Sequence, residues 1–259
     1  RYAGFRGFGP GGTPHRCMSV VAAFLRSVAY EVVRFVITVI FAVISLLTFP
    51  FRPITRYRVI TAWSHLVIGL AATICGVRYR VIGRDNLPAV PCIVLSKHQS
   101  AWETLAYQVI LPPQVWVLKR ELLRVPFFGW GLAMMSPIAI DRGSATRALK
   151  QTLEQGKSRL SDGWWIVVFP EGTRIAPGER GRYHLGGAWL ASKTDAPVLP
   201  IAHNAGTIWG RNAFVKFPGT ITVSIGPVIH PQGMTPEALN RKAEDWIETE
   251  VARLGNARS

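Results

Sequence analysis

The chain has 259 residues, enough for one sizeable core with an accessory segment and short for two full domains. Hydrophobic residues make up 49% and charged residues 17%, which excludes disorder over most of the length. Thirty Lys and Arg against 15 Asp and Glu leave a formal charge of +15, so the partner is expected to be anionic: acidic lipid headgroups, phosphorylated substrates or, less well supported, nucleic acid. No C2H2 spacing, RNP-like aromatic segment or basic zipper region supports nucleic acid. Cys17, Cys75 and Cys92 form no C-x-x-C pair and no metal-ligand spacing, and read as small buried hydrophobes in a reducing compartment.

In chain order, residues 1–19 open on a Gly- and Arg-rich stretch without periodicity and are expected to form a flexible tail. Residues 35–51 carry no charge, and residues 59–77 carry only His65. Each is at the lower edge of what spans a bilayer, about 20 residues. Arg52, Arg56 and Arg58 lie between them, and two full spans would put these on the far side, against the positive-inside tendency. Residues 20–80 are therefore expected to form a helical hairpin that dips into one leaflet and keeps its arginines at an anionic surface.

From residue 92 the texture changes to short apolar runs alternating with amphipathic stretches. Residues 92–96, 115–118, 137–140, 164–169, 198–201 and 221–225 read as strands. Residues 101–110, 144–160, 188–194 and 236–254 read as helices, the first stopped by Pro112-Pro113. Strands alternating with helices predict an α/β domain over residues 81–259, a mixed sheet flanked by helices.

Two motifs carry chemistry. His98 follows a buried strand in Ser-Lys-His-Gln-Ser-Ala-Trp-Glu-Thr, with Glu103 five residues on. On a continuous helix the two side chains would point about 140° apart; at a strand-to-helix turn they can meet. A carboxylate on one imidazole nitrogen fixes the tautomer and leaves the other as a base. Glu103 equally fits a capping box opened by Ser100, so the dyad needs support elsewhere. That support is Phe169-Pro-Glu-Gly-Thr-Arg174, at the end of the most apolar strand, where functional side chains cluster. Gly172 allows close backbone approach, Thr173 brings a hydroxyl and Arg174 a planar fork suited to phosphate.

His98 with its carboxylate, followed by Phe-Pro-Glu-Gly-Thr-Arg, resembles the glycerolipid acyltransferases, and most closely the bacterial 1-acylglycerol-3-phosphate acyltransferases. Lys119-Arg-Glu-Leu122 with Pro126 and Gly129, then Ile138-Ala-Ile-Asp-Arg142, matches a second block, and Val198-Leu-Pro-Ile201 a fourth. The family's common His-x4-Asp is here His-x4-Glu. The resemblance implies transfer of an acyl group from a thioester, on coenzyme A or acyl carrier protein, to the sn-2 hydroxyl of lysophosphatidate, giving phosphatidic acid at the cytoplasmic face of the bacterial inner membrane. It implies His98 as base, Glu103 as its orienting carboxylate, and Arg174 on the phosphate with Glu171, Gly172 and Thr173 shaping the glycerol end. Lys119 and Arg142 are further phosphate candidates, because both follow strands expected to end near His98.

No cofactor and no metal is expected beyond the thioester co-substrate. Within the same chemistry the acceptor could be glycerol 3-phosphate or a lyso-ornithine lipid. A hydrolase using Ser96 or Ser100 lacks the Gly-x-Ser-x-Gly elbow, and a non-catalytic lipid-binding protein would leave the two motifs incidental. Phe127, Phe128 and Trp130 form an aromatic patch suited to a membrane interface, an acyl tunnel or a core contact, and His203 is read as structural.

Overall fold

The computed structural model describes residues 14–256 apart from 142 and 144. It opens with two long apolar helices, α1 (Pro14–Leu47) and α2 (Pro53–Ile74). Both are long and apolar enough to cross a membrane by length and composition. Residues 14–19, expected to belong to a flexible tail, are instead the start of α1, and the rest of that expectation, residues 1–13, lies outside the described residues. Pro53 starts α2, where its missing N–H and fixed φ suit a first helical turn.

The α/β body follows. Its strands are β1 (Val77–Ile82), β2 (Ile93–Ser96), β3 (Gln114–Lys119), β4 (Ile138–Ile140), β5 (Trp165–Val168), β6 (Val198–His203) and β7 (Gly219–Ile225). They form one sheet in the order β1-β7-β6-β2-β5-β3-β4. The five strands from β6 to β4 run parallel, β7 pairs antiparallel with β6, and β1 runs parallel to β7. The mixed sheet flanked by helices is therefore present as the alternating pattern indicated.

Strands β2 and β5 are buried at every residue, as a strand covered on both faces must be. Period-two alternation divides their side chains between two cores. Val94 and Val167 face the core shared with α2 and with α3 (Trp102–Ile110). Ile93, Leu95, Ile166 and Val168 face the core shared with α6 (Gly186–Thr194) and α7 (Pro236–Asn256). A Cβ on Gly187 would stand 2.5 Å from Leu95, so the close seating of α6 on β2 requires glycine there.

Helix α2 is part of this body. Its stripe Tyr57, Ile60, Ser64, Val67, Ile68 and Ala71 is buried at helical spacing, and Ser64 donates to Gln108 Oε1 on α3 (2.6 Å). The boundary drawn at residue 80 thus separates no independent core. Helix α1 lies outside, docked along one face. Ala23, Ser27, Tyr30, Ala42 and Ser45 are buried, while Phe35, Val36, Ile40, Val43 and Leu47 face outward. Midway along α1, Glu31 pairs with Lys216 from the segment before β7. Lys216 is buried with its ammonium 4.9 Å from the Trp209 ring and 5.2 Å from the Tyr30 ring. An ammonium sequestered in this way fixes α1 to the catalytic body at a defined point.

Candidate active site

Because β2, β3, β5 and β6 are parallel neighbours, the chain leaves all four on the same edge of the sheet. The residues just past those ends are Lys97-His98, Lys119, Phe169 to Arg174 and His203-Asn204. Sequence motifs separated by more than a hundred residues are thereby gathered at one edge, as expected for functional groups in parallel sheets.

The turn between β2 and α3 folds around the Glu103 carboxylate. Glu103 Oε1 accepts from His98 Nδ1, from the Gln99 amide and from the Ser100 amide, each at 2.8 Å. The Ser100 hydroxyl accepts from the Trp102 amide (3.1 Å), which completes the capping arrangement. The two readings of Glu103 are therefore one structure: the carboxylate caps the turn and holds the imidazole with the same oxygen. A carboxylate can only accept, so Nδ1 of His98 carries the proton and Nε2 is left with its lone pair. Glu103 is fully buried. Burial works against its charged form, but the hydrogen bonds from the His98 ring and the Ser100 amide outweigh it and hold the carboxyl below its ordinary range.

The Phe-Pro-Glu-Gly-Thr-Arg segment encloses the backbone of His98. Glu171 Oε2 accepts from the His98 amide (3.0 Å), and the Ile175 amide donates to the His98 carbonyl (2.8 Å). The imidazole stacks on Phe169 with centroids 3.9 Å apart, and Phe169 stacks in turn on Trp116 at 5.5 Å. Gly172 takes φ +66°, a left-handed conformation open to glycine, and this turns the segment back over His98.

A cavity of about 420 Å³ opens beside His98. Trp116, Leu118, Phe128 and Leu132 line it on the body side, and Phe41 and Ala42 of α1 close it from outside. Lys119, Gly172 and Arg174 provide its polar end. Arg174 Nε is buried without a hydrogen-bond partner among the described residues, a donor available to an anion. Lys119 is half exposed and lies 3.6 Å from Glu121. A long apolar cavity with a base and cations at one end suits a molecule that is part hydrocarbon and part anion.

The remaining expected site residues are placed differently. Glu171 is turned away from the cavity: its Oε1 accepts from the buried Lys97 ammonium (2.7 Å) and Oε2 from the His98 amide, so no oxygen points toward a glycerol group. Thr173 is exposed and lies off the cavity wall. Arg142 is outside the described residues. Lys97 is a supporting residue that the sequence does not single out, and His203, read as structural, is buried in that role beside it. Lys97 sits next to His98 in sequence, but its partners come from far along the chain and leave no local signal. His203 Nε2 donates to the Lys97 carbonyl (2.9 Å) and its Nδ1 accepts from the Ala205 amide (3.2 Å). That pattern requires a neutral ring, and burial lowers its pKa in the same sense against the pull of Glu103.

Comparison with known proteins places these features in context. Residues 78–204 match the family model described as Acyltransferase. Over 242 residues the chain is 45% identical to the 1-acyl-sn-glycerol-3-phosphate acyltransferase of Pseudomonas aeruginosa, covering 92% of this chain and 94% of that protein. It is 30% identical over 181 residues to the Saccharomyces cerevisiae protein of the same name, covering 65% of this chain and 57% of that one. The fold matches the crystal structure of the 1-acyl-sn-glycerophosphate (LPA) acyltransferase PlsC from Thermotoga maritima with a TM-score of 0.77 at 22% identity, over 91% of this chain and 97% of that one.

The neutral His203 has a consequence for acid stability. Its folded pKa lies below the ordinary value of 6.5. As pH falls through 6.5 the unfolded chain takes up a proton that the buried ring refuses, so stability is lost as pH drops below that value. His203→Gln, which keeps a donor and an acceptor but cannot titrate, should flatten the fall in unfolding free energy between about pH 6.5 and 5 by up to one proton, roughly 1.4 kcal/mol per pH unit. Denaturant unfolding in detergent at a series of pH values measures the slope, and an unchanged slope contradicts the assignment.

Proposed function

We propose that this chain, which belongs to the 1-acyl-sn-glycerol-3-phosphate acyltransferase family, transfers an acyl chain from a thioester to the sn-2 hydroxyl of 1-acylglycerol 3-phosphate and so makes phosphatidic acid. The observation that carries the chemistry is the His98–Glu103 pair opening on an apolar cavity with Arg174 at its polar end.

The acceptor hydroxyl gives its proton to His98 Nε2 as its oxygen attacks the thioester carbonyl carbon. The new C–O bond forms, the tetrahedral adduct collapses, and the C–S bond breaks with the electron pair leaving on sulfur. The imidazolium then returns its proton to the thiolate, which departs as free coenzyme A or carrier-protein thiol. Glu103 stabilises the imidazolium during the interval without taking the proton itself. A thiolate leaves readily, so one base serves the whole reaction. Arg174 takes the acceptor phosphate, with Lys119 at the rim as a second cation and Arg142 as a further candidate on sequence grounds. The donor is acyl-CoA or acyl carrier protein, and no further cofactor enters.

A serine hydrolase is disfavoured by the positions of its two candidate nucleophiles. Ser96 Oγ is held between Tyr107 OH (2.6 Å) and the Lys97 carbonyl, and the Ser100 hydroxyl caps the turn. Neither has a hydrogen bond to His98 among the described residues.

The chain works at a membrane, held by α1 and α2 in one leaflet. Glu31 binds α1 to the body at its midpoint, and Ala42 and Ser45 are buried again near its end, so residues 32–47 lie along the body rather than projecting from it. Helix α2 is packed into the body along its length and has no free span. Beyond Arg34 the outward face of α1, from Phe35 to Leu47, is apolar and suits the acyl region of a monolayer. Arg52 and Arg58, exposed around the hairpin turn, then stay with the body at the anionic cytoplasmic surface of the bacterial inner membrane, where acyl thioesters are made.

His98→Ala should lower turnover about 10²- to 10⁴-fold while leaving the unfolding midpoint within a few degrees of the parent; residual activity above about a tenth of the parent's in micellar lysophosphatidate would contradict its role. Arg174→Ala should raise the KM for lysophosphatidate about tenfold or more with the KM for the acyl donor nearly unchanged, and an effect confined to the donor would refute the phosphate assignment.

A further inference from the structure

We propose that Glu248, on the C-terminal helix α7, is a positioning residue for the reaction, acting through the buried Lys97 on Glu171 and through Glu171 on His98; the proposal rests on the acyltransferase reading of the site.

Lys97 precedes the base directly, yet its side chain is fully buried on the far side of the turn. All three ammonium protons are used: Glu171 Oε1 at 2.7 Å, Glu248 Oε1 at 2.8 Å and the Glu179 carbonyl at 3.1 Å. Glu171 bridges onward, its Oε2 accepting from the His98 amide at 3.0 Å. Tyr183 OH donates to the same Glu248 oxygen at 2.8 Å. Four segments distant in sequence therefore meet on one ammonium: the end of β2, the Phe-Pro-Glu-Gly-Thr-Arg turn, residues 179–183 and α7.

Helix α7 does not need this contact to dock. Leu239, Ala243, Ile247 and Leu254 already form a buried stripe against the second core, and Arg180 reaches α7 from outside through Glu244 (2.7 Å). Placing a carboxylate beside a buried ammonium is a poor way to gain stability, because desolvation of the ions offsets much of their attraction. What the contact does provide is direction. With one carboxylate, the Lys97 ammonium could swing toward either oxygen of Glu171 and draw it off the His98 amide. With Glu248 on its other side it is held between two anions, and Glu171 keeps one oxygen for His98. The turn that carries Gly172 and Arg174 is fixed by the same bridge, so base and phosphate ligand are registered to one another by a residue that touches neither substrate.

The test uses the full chain in detergent micelles with lysophosphatidate and acyl-CoA, activity being expressed per folded molecule from near-ultraviolet circular dichroism. E248Q should lower kcat between about 10- and 100-fold with the KM for the acyl donor within about twofold of the parent. E248D, which keeps the charge, should recover a substantial part of that loss. A second readout does not depend on turnover: the rate of His98 carbethoxylation by diethyl pyrocarbonate, taken as the reaction that the His98→Ala variant lacks. It should rise at least threefold in E248Q, because the turn over the imidazole is loosened. A kcat for E248Q within about twofold of the parent per folded molecule overturns the proposal, as does an unchanged carbethoxylation rate. If the parent transfers no acyl group to any acceptor, the functional reading fails by itself, and the carbethoxylation comparison still decides whether Glu248 positions His98.

Discussion

One carboxylate oxygen, Glu103 Oε1, organises the turn on which the site depends. It gathers the His98 ring and two backbone amides at 2.8 Å each, in a place fully removed from water. Buried polar groups are costly unless satisfied, and a charged acceptor serving three donors is among the stronger ways of satisfying them. Local folding and chemistry make the same demand here. The amides at the start of α3 need an acceptor, and the base needs a partner for Nδ1. Glu103 reaches both from within the first turn of the helix.

Around that oxygen the structure builds in shells set by sheet topology. Parallel strands bring the Phe-Pro-Glu-Gly-Thr-Arg turn beside His98, where it binds both the amide and the carbonyl of the base and stacks Phe169 on its ring. Beneath lies the Lys97 bridge to α7, and beside it the neutral His203 holds the Lys97 carbonyl. On the open side the cavity runs from His98 to the wall formed by α1. The helix whose outer face is apolar thus lines the cavity with Phe41 and Ala42 on its inner face. Within the aromatic patch Phe127 and Phe128 line the cavity and Trp130 does not, while all three are similarly exposed.

Much of this was legible in the sequence, for identifiable reasons. Strands β2 and β5 are short continuous apolar runs, and the helix before β5 has a clear amphipathic stripe, so periodicity located them. The His98–Glu103 contact followed from the turn between a strand and a helix. Strand β1 carries no apolar run, because Arg78 and Arg80 alternate with Val77, Tyr79 and Val81, which alone face the core. Helix α4 (Phe128–Met134) was missed because two glycines interrupt it and it begins after Phe127 at φ +62°, which no propensity suggests. Helix α2 read as membrane hairpin alone because an apolar stripe packed on α3 has the same composition as one packed on lipid. The Glu171–Lys97–Glu248 bridge joins residues 74 and 151 positions apart from Lys97 and has no local pattern to betray it. For that reason the motif alone suggests a substrate contact for Glu171, whose carboxylate is committed to Lys97 and the His98 amide.

The account stands on His98 deprotonating a hydroxyl that belongs to the acceptor, with no enzyme nucleophile in between. Release of free thiol from acyl-CoA, followed with and without micellar lysophosphatidate, tests this most directly. Thiol release that requires lysophosphatidate and matches the phosphatidic acid formed is the predicted result. Release at the same rate without acceptor would contradict it, since water would then be the attacking group.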